Sequence, residues 1–200
     1  NNIKKQVNHL INEISRSSWV NDKMIGCAAI VLTGLSYKDG KYLNFGLNLL
    51  KKIINFSFDI KGFPKSRNPR QLLFYLKYFI LIREWLKESH SEIPDYLNEI
   101  IFHLGQSYNF IWQNINQNLL FNGNQISKNY EFDKYLSFHN YRFKSESNEY
   151  GGYVILKNKN VIISLDLGSS PEKKFSNDYQ SGALSFEVFF NNNKLISNCG

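Results

Sequence analysis

The sequence predicts an α+β protein with its helices first and its strands second, and three observations carry that reading. From the N-terminus to about Leu120, apolar residues recur three and four apart, the spacing of one helix face. From about Tyr141 they alternate or fall in short blocks separated by Gly and Asn turns, the pattern of strands. Between the two lies the turn-rich stretch Leu120-Phe121-Asn122-Gly123-Asn124-Gln125. Segregation of the patterns along the chain means α+β packing or two domains.

The helices follow in order. Ile3, Val7, Leu10, Ile11 and Ile14 form one apolar stripe, which leaves Lys5, Asn8, His9 and Asn12 on the opposite side. Asp22 suits the cap of a second helix reaching about residue 37 and holding Cys27, and Asp39-Gly40 breaks it. A third helix is expected over about 42–56, with Phe45, Leu49, Leu50, Ile53 and Ile54 in its stripe. The connections are short, so consecutive helices should be antiparallel neighbours. A polar loop, residues 61–69, ends with Asn68 as cap and Pro69 in the first turn of a fourth helix that runs to about Ser89. That helix is apolar nearly all round from Leu72 to Ile82, which calls for neighbours on every side. Pro94 or Asp95 starts a fifth, carrying Leu97, Ile100, Ile101, Leu104, Tyr108, Ile111 and Trp112 towards Leu120, and residues 130–138 add a short one.

Strands are expected at 141–145, 152–157 and 161–167, and residues 168–182 form a loop long enough to be functional. The last stretch has the clearest pattern. Leu184, Phe186, Val188 and Phe190 fall on one side of an extended strand, and Ala183, Ser185, Glu187 and Phe189 on the other. Asn191-Asn192-Asn193 supplies a turn and residues 194–198 a partner strand. A sheet left with this edge uncovered would be prone to aggregation, which leads to the expectation that the sequence is a piece of a longer protein.

Two hundred residues, 42% hydrophobic and 16% aromatic, suffice for a substantial core. The net charge of +7 comes mostly from Lys in a chain crowded with Asn and Ile. Without an Arg-rich patch or an aromatic-basic signature no nucleic-acid partner is expected, whereas a basic surface suits an anionic polysaccharide. Cys27 and Cys199 are too few for a disulfide framework and read as small buried residues. His90, His103 and His139 have no partners at metal-ligand spacing and read as surface or core residues, so no metal is expected, nor any other cofactor; without a nucleophile elbow, Ser-His-Asp chemistry is not expected either. The longest apolar run, residues 72–82, contains Lys77 and is too short to span a bilayer. No secretory signal opens the sequence, but neither does a Met, so the opening residues do not bear on export.

Several short motifs, in shared order, resemble the heparinase II/III-like family. Ser66-Arg67-Asn68-Pro69 resembles a loop that in many bacterial relatives reads Asp-Gly-Gly-His-x-Ser-Arg-Asn-Pro, from which Lys61, Phe63 and Pro64 depart. Phe121-Asn122-Gly123 looks like the family's junction motif. Gly152-Tyr153-Val154 through Leu165-Asp166-Leu167-Gly168 looks like the first sandwich strands, followed by Gly182-Ala183-Leu184-Ser185-Phe186-Glu187. Asn8-His9-Leu10 is similar to the helical Asn-His-Leu near the family's catalytic groove. The resemblance implies the C-terminal part of an α/α toroid over 1–122, a junction over 123–140 and the start of an antiparallel β-sandwich over 141–200.

It also implies a chemistry, β-elimination from a uronic acid sugar. An Asn, with or without a His, takes up negative charge on the sugar carboxylate and makes the C5 proton removable. A Tyr or His then moves that proton while another group protonates the departing O4. Asn8 and His9 match the first role; the residues alone equally describe a polar helix face. The Tyr-His pair of the catalytic lyases falls on Gln71 and Leu72, and a sandwich His falls on Gln180, where neither Gln can titrate. Arg67 suits a two-pronged bond to a carboxylate or sulfate, or else fixes its own loop. Tyr75, Tyr108 and Trp112 suit stacking on a pyranose, or else packing between helices.

The implied protein is a polysaccharide lyase acting on an acidic glycan in the periplasm or cell envelope of a bacterium. The alternative is a glycan-binding or envelope-assembly protein that kept the groove and lost the acid-base pair.

Overall fold

A computed structural model describes the chain except Asn1, Trp19, Asn114, residues 116–118, 124–129, Ser181, Ala183 and residues 199–200, with only the backbone of Gly123 and Asp178. The expectations placed on Asn124, Gln125, Ser181, Ala183, Cys199 and Gly200 lie outside the described residues. Among those described, helices α1 (Asn2–Ile14), α2 (Val20–Ser36), α3 (Gly40–Ser57), α4 (Pro69–Glu88), α5 (Asp95–Tyr108) and α6 (Tyr130–Phe138) precede a single five-stranded sheet. Helices first and strands second is the predicted fold class. The chain divides into two compact units, residues 1–57 with 75–101, and residues 58–74 with 102–200.

In the first unit, Val7, Ile14 and Ile30 form a buried cluster, with Leu10, Ile11, Tyr42 and Leu49 packed against it. The break at Asp39 is a helix start: Asp39 Oδ1 accepts the Lys41 N–H at 3.1 Å, and Asp39 O accepts the Leu43 N–H at 3.1 Å. The helix thus begins at Gly40, two residues ahead of the expected start, because the capping carboxylate satisfies the first free amides. α2 and α3 approach closely at Gly46, where a Cβ would come within 2.6 Å of Val31 Cγ2. The same approach lets the buried Cys27 thiol donate to Gly46 O at 3.2 Å.

In the second unit, α4 starts as expected, with the Arg70 N–H bonded to Asn68 Oδ1 at 2.9 Å. α5 ends at Tyr108 and passes into a π-helical turn, Asn109–Gln113, short of the expected Leu120. A change of side-chain partners accounts for it. Asn109 Oδ1 accepts the Ser145 N–H at 2.9 Å, and Trp112 Nε1 donates to Pro69 O at 3.2 Å.

The strand expected at 141–145 is irregular chain, and the first strand is β1 (Glu149–Tyr150). Amides along residues 141–146 are bonded to groups outside any strand pair: Tyr141 N–H to Leu136 O, Ser145 N–H to Asn109 Oδ1, and Glu146 N–H to the Tyr150 hydroxyl. β2 (Tyr153–Lys157), β3 (Val161–Asp166), β4 (Phe186–Phe190) and β5 (Asn193–Ile196) complete an antiparallel sheet in sequential order. Gly151 and Gly152, at φ 56° and 81°, form the β1–β2 turn, and Asn191 and Asn192, at φ 48° and 64°, the β4–β5 turn. Positive φ at both central residues is what a tight hairpin requires. β4 begins at Phe186 because Leu184 turns the chain at φ 63°, its N–H bonded to Asp166 O.

The register sets two sheet faces. Tyr153, Ile155, Ser164, Asp166, Glu187 and Phe189 are buried on one. Leu156, Phe186, Phe190 and Ile196 lie on the other, each between 43% and 48% exposed. The buried side of β4 is therefore the one carrying a carboxylate, and the side richer in apolar residues is the open one. Among the described residues no helix is long and apolar enough to cross a membrane.

Candidate functional site

The candidate residues fall in both units, and each unit has its own polar focus. In the first, Asn8 and His9 are exposed on α1, opposite the buried Val7 and Ile14. Asn8 Oδ1 accepts a hydrogen bond from the Tyr42 hydroxyl at 2.8 Å. The Tyr42 ring is packed against the buried helix cluster, so its hydroxyl reaches Asn8 from a held position. Lys4, one turn before Asn8 and on the same face, pairs with Asp39 at 3.5 Å and lies 5.7 Å from the centre of the Tyr37 ring. Lys5 of α1, Lys38 of the turn between α2 and α3, and Lys41 of α3 are exposed. The result is an amide and an imidazole on a surface with more ammonium than carboxylate groups, suited to an anion.

In the second unit the focus is Arg67. Asp59 Oδ1 accepts the N–H groups of Lys61 and Phe63 at 2.9 and 2.8 Å, folding the loop, and Arg67 then takes a left-handed conformation at φ 55°. Its side chain is almost wholly enclosed. Nε donates to Gly151 O at 2.9 Å, Nη1 to Ser169 O at 3.0 Å, and Nη2 to Asp166 Oδ1 at 2.5 Å. Its guanidinium lies over the Tyr153 ring, 4.9 Å from the centre, with the Tyr179 ring at 5.9 Å. Its carbonyl is held as well, accepting from the Tyr153 hydroxyl at 2.6 Å and from Asn122 Nδ2 at 3.1 Å.

Phe121 stacks on Tyr153 with centroids 5.4 Å apart, and burial followed by the charge of Asp166 pushes the Tyr153 phenol well above its ordinary pKa. Glu187 adds a second link: Oε1 accepts the N–H groups of Leu120 and Asn198, each at 3.2 Å, and Oε2 lies 3.1 Å from Lys194 Nζ. The Ser-Arg-Asn-Pro loop, the Phe-Asn-Gly turn and the strand motifs, far apart in sequence, thus converge on one buried network.

A cavity of about 530 Å³ opens beside it, bounded by Lys61 and Lys65 of the loop, Gly151 and Gly152, and Ser169 and Phe175 of the 168–182 loop. Lys65 Nζ sits 6.0 Å from the Phe175 ring centre. Asp59, Glu149 and Glu172 also line it, so its walls carry both signs of charge.

The remaining sequence candidates are placed as follows. Gln71 is tied into the second unit, its Oε1 accepting from Ser66 Oγ at 2.7 Å, and Gln180 is exposed on the loop before β4. Tyr75, in the first unit, is 1% exposed with its ring 5.8 Å from that of Phe79; Tyr108 and Trp112 are also buried. For these three aromatic side chains the geometry supports packing, and for Arg67 it supports loop fixing. Tyr42 escaped notice in the sequence because its partner is 34 residues away. Lys61, Lys65 and Phe175 escaped it because nothing in local spacing brings them to one cavity. Among the described residues no group of three or more His, Cys, Asp or Glu side chains is placed to hold a metal ion.

Residues 142–200 match the family model described as heparinase II/III-like, C-terminal. Three solved structures share the fold of nearly the whole chain. Heparinase III superposes with a TM-score of 0.75 at 15% identity, over 98% of this chain and 37% of that one. Heparan sulfate lyase HepC from Pedobacter heparinus gives 0.72 at 13% identity, over 95% and 34%, and a mutant of it gives 0.76 at 14%, over 98% and 35%. The chain spans about a third of the length of these proteins. No protein of curated function matches the sequence.

Proposed function

We propose that this chain, heparinase II/III-like in its C-terminal segment and in its fold, is part of a polysaccharide lyase that cleaves an acidic, uronate-containing glycan by β-elimination. The observation that carries the proposal is the Asn8 side chain. Its Oδ1 is engaged by Tyr42, and its amide nitrogen has no partner among the described residues. The donor end is open to solvent beside His9 on a lysine-bearing face. A donor held in this way binds a sugar carboxylate and takes up the charge that develops as the C5 proton leaves. Lys5 and Lys41 attract the polyanion. The fold supports the reading, since the solved proteins that share it include a heparan sulfate lyase.

In this reading residues 1–122 belong to an α/α toroid, 123–140 to a junction and 141–200 to a β-sandwich whose second sheet covers Phe186 and Phe190. Arg67 acts by holding the loop that leads into α4, where Gln71 stands in the first turn, and Gln71 and Gln180 meet the glycan as neutral hydrogen-bonding groups. The bacterial periplasm or cell envelope is the compartment in which such a glycan is met.

A second reading, a glycan-binding or envelope-assembly protein without lyase activity, is favoured by Gln71 and Gln180, which cannot move protons. The two are separated by incubating the full-length protein with heparan sulfate and other uronate polysaccharides and following ultraviolet absorbance, which reports the unsaturated ends left by elimination. Appearance of such ends supports the lyase; binding without them supports the alternative.

A further inference from the structure

We infer that Tyr42 is a positioning residue for Asn8, holding its amide at one place on the glycan-facing side of α1; the inference rests on the proposed role of Asn8. An exposed asparagine on a helix samples several side-chain rotamers, and an anion is served best by an amide already held with Nδ2 outward. The Tyr42 hydroxyl donates to Asn8 Oδ1 at 2.8 Å, and this bond holds the side chain in that place. The donor is itself restrained, because the Tyr42 ring packs against the cluster of Val7, Ile14 and Ile30. α3 thereby supplies a fixed support for a group on α1.

Lys4 does not compete for the amide, because it is engaged with Asp39 and the Tyr37 ring. Loss of the phenolic hydroxyl leaves the ring packing intact and frees the amide to rotate. A loss of about three- to tenfold corresponds to about 0.7–1.4 kcal/mol, the size of one ordinary hydrogen bond.

The test is a double-mutant cycle in the full-length protein with Tyr42→Phe, Asn8→Ala and the pair. Each variant is read by kcat and KM on heparan sulfate, by Kd for a size-defined heparan sulfate oligosaccharide, and by Tm. The expected result is a drop in kcat/KM of about three- to tenfold for Tyr42→Phe at unchanged Tm, with no further loss when it is added to Asn8→Ala. Additive losses, or a Tyr42→Phe variant as active as the wild type, overturn the inference while leaving the lyase reading intact. If the wild type binds the oligosaccharide without cleaving it, the lyase reading fails. The same non-additivity in Kd then upholds the role of Tyr42, and additivity overturns it. If the wild type neither binds nor cleaves, both fall.

Discussion

Arg67 Nη2 donates to Asp166 Oδ1 at 2.5 Å, joining two residues 99 positions apart with the Asp166 side chain fully enclosed. The pair fastens the loop before α4 to the end of β3, and the Gly151 and Ser169 carbonyls take the other guanidinium bonds. Removing one partner strands the other as a buried charge, which costs about 3–5 kcal/mol. Arg67→Ala and Asp166→Asn are each expected to lower urea-unfolding stability by that order. Arg67→Lys is expected to rescue little, because an ammonium cannot reproduce three divergent bonds. Losses below about 1 kcal/mol would show that the pair does not hold the loop.

The two sides of β4 separate by mutation. Phe189→Ala, at a site 1% exposed, is expected to destabilise by about 3–5 kcal/mol. Phe190→Ala, at 43% exposed, is expected to cost about 1 kcal/mol or less in the 200-residue chain. Equal losses in denaturant unfolding would contradict the assigned face.

Stability should fall on the alkaline side. Burial pushes the Cys27 thiol from its ordinary 9.0 to about 12, and burial followed by the Cys27 charge pushes the Tyr96 phenol from 10.0 to about 12. Both groups are neutral when protonated, and the folded state holds these protons more tightly than the unfolded state. Their contribution is therefore fully present below pH 9 and is lost as pH rises towards about 12, where the folded groups also ionise. Tm measured across that window is expected to decline, and Cys27→Ala to make the decline shallower. A Tm flat from pH 8 to about 11 would refute the assignment.

Local chemistry made some elements legible and long-range partners hid the others. Asn68-Pro69 announces α4 because cap and first turn are adjacent in sequence, and α6 matches its expected span. Residues 141–145 carry a strand-like pattern, yet no strand forms there. The Ser145 amide is bonded to Asn109 and the Glu146 amide to the Tyr150 hydroxyl, partners that no periodicity displays. Alternation along β4 marks two faces without saying which is inside. The answer depends on Glu187, which is buried because Leu120, Asn198 and Lys194 satisfy it. The site divides in the same way. Asn8 and His9 stand out from their own helix, whereas Tyr42 enters only through the packing of α3 on α1. The motifs that carry the family resemblance are mostly those that knot the second unit together. They therefore speak for the fold more directly than for the chemistry.

Lyase activity and the role of Asn8 are tested together by the ultraviolet absorbance of unsaturated uronate ends formed by the full-length protein on heparan sulfate, compared with Asn8→Ala. Steady product formation is expected from the wild type and a loss of about 100-fold or more in the variant, the scale of removing a charge-stabilising donor, with Tm unchanged. Product formation by Asn8→Ala at the wild-type rate, or none by a wild type that is folded and binds the glycan, would contradict the proposal.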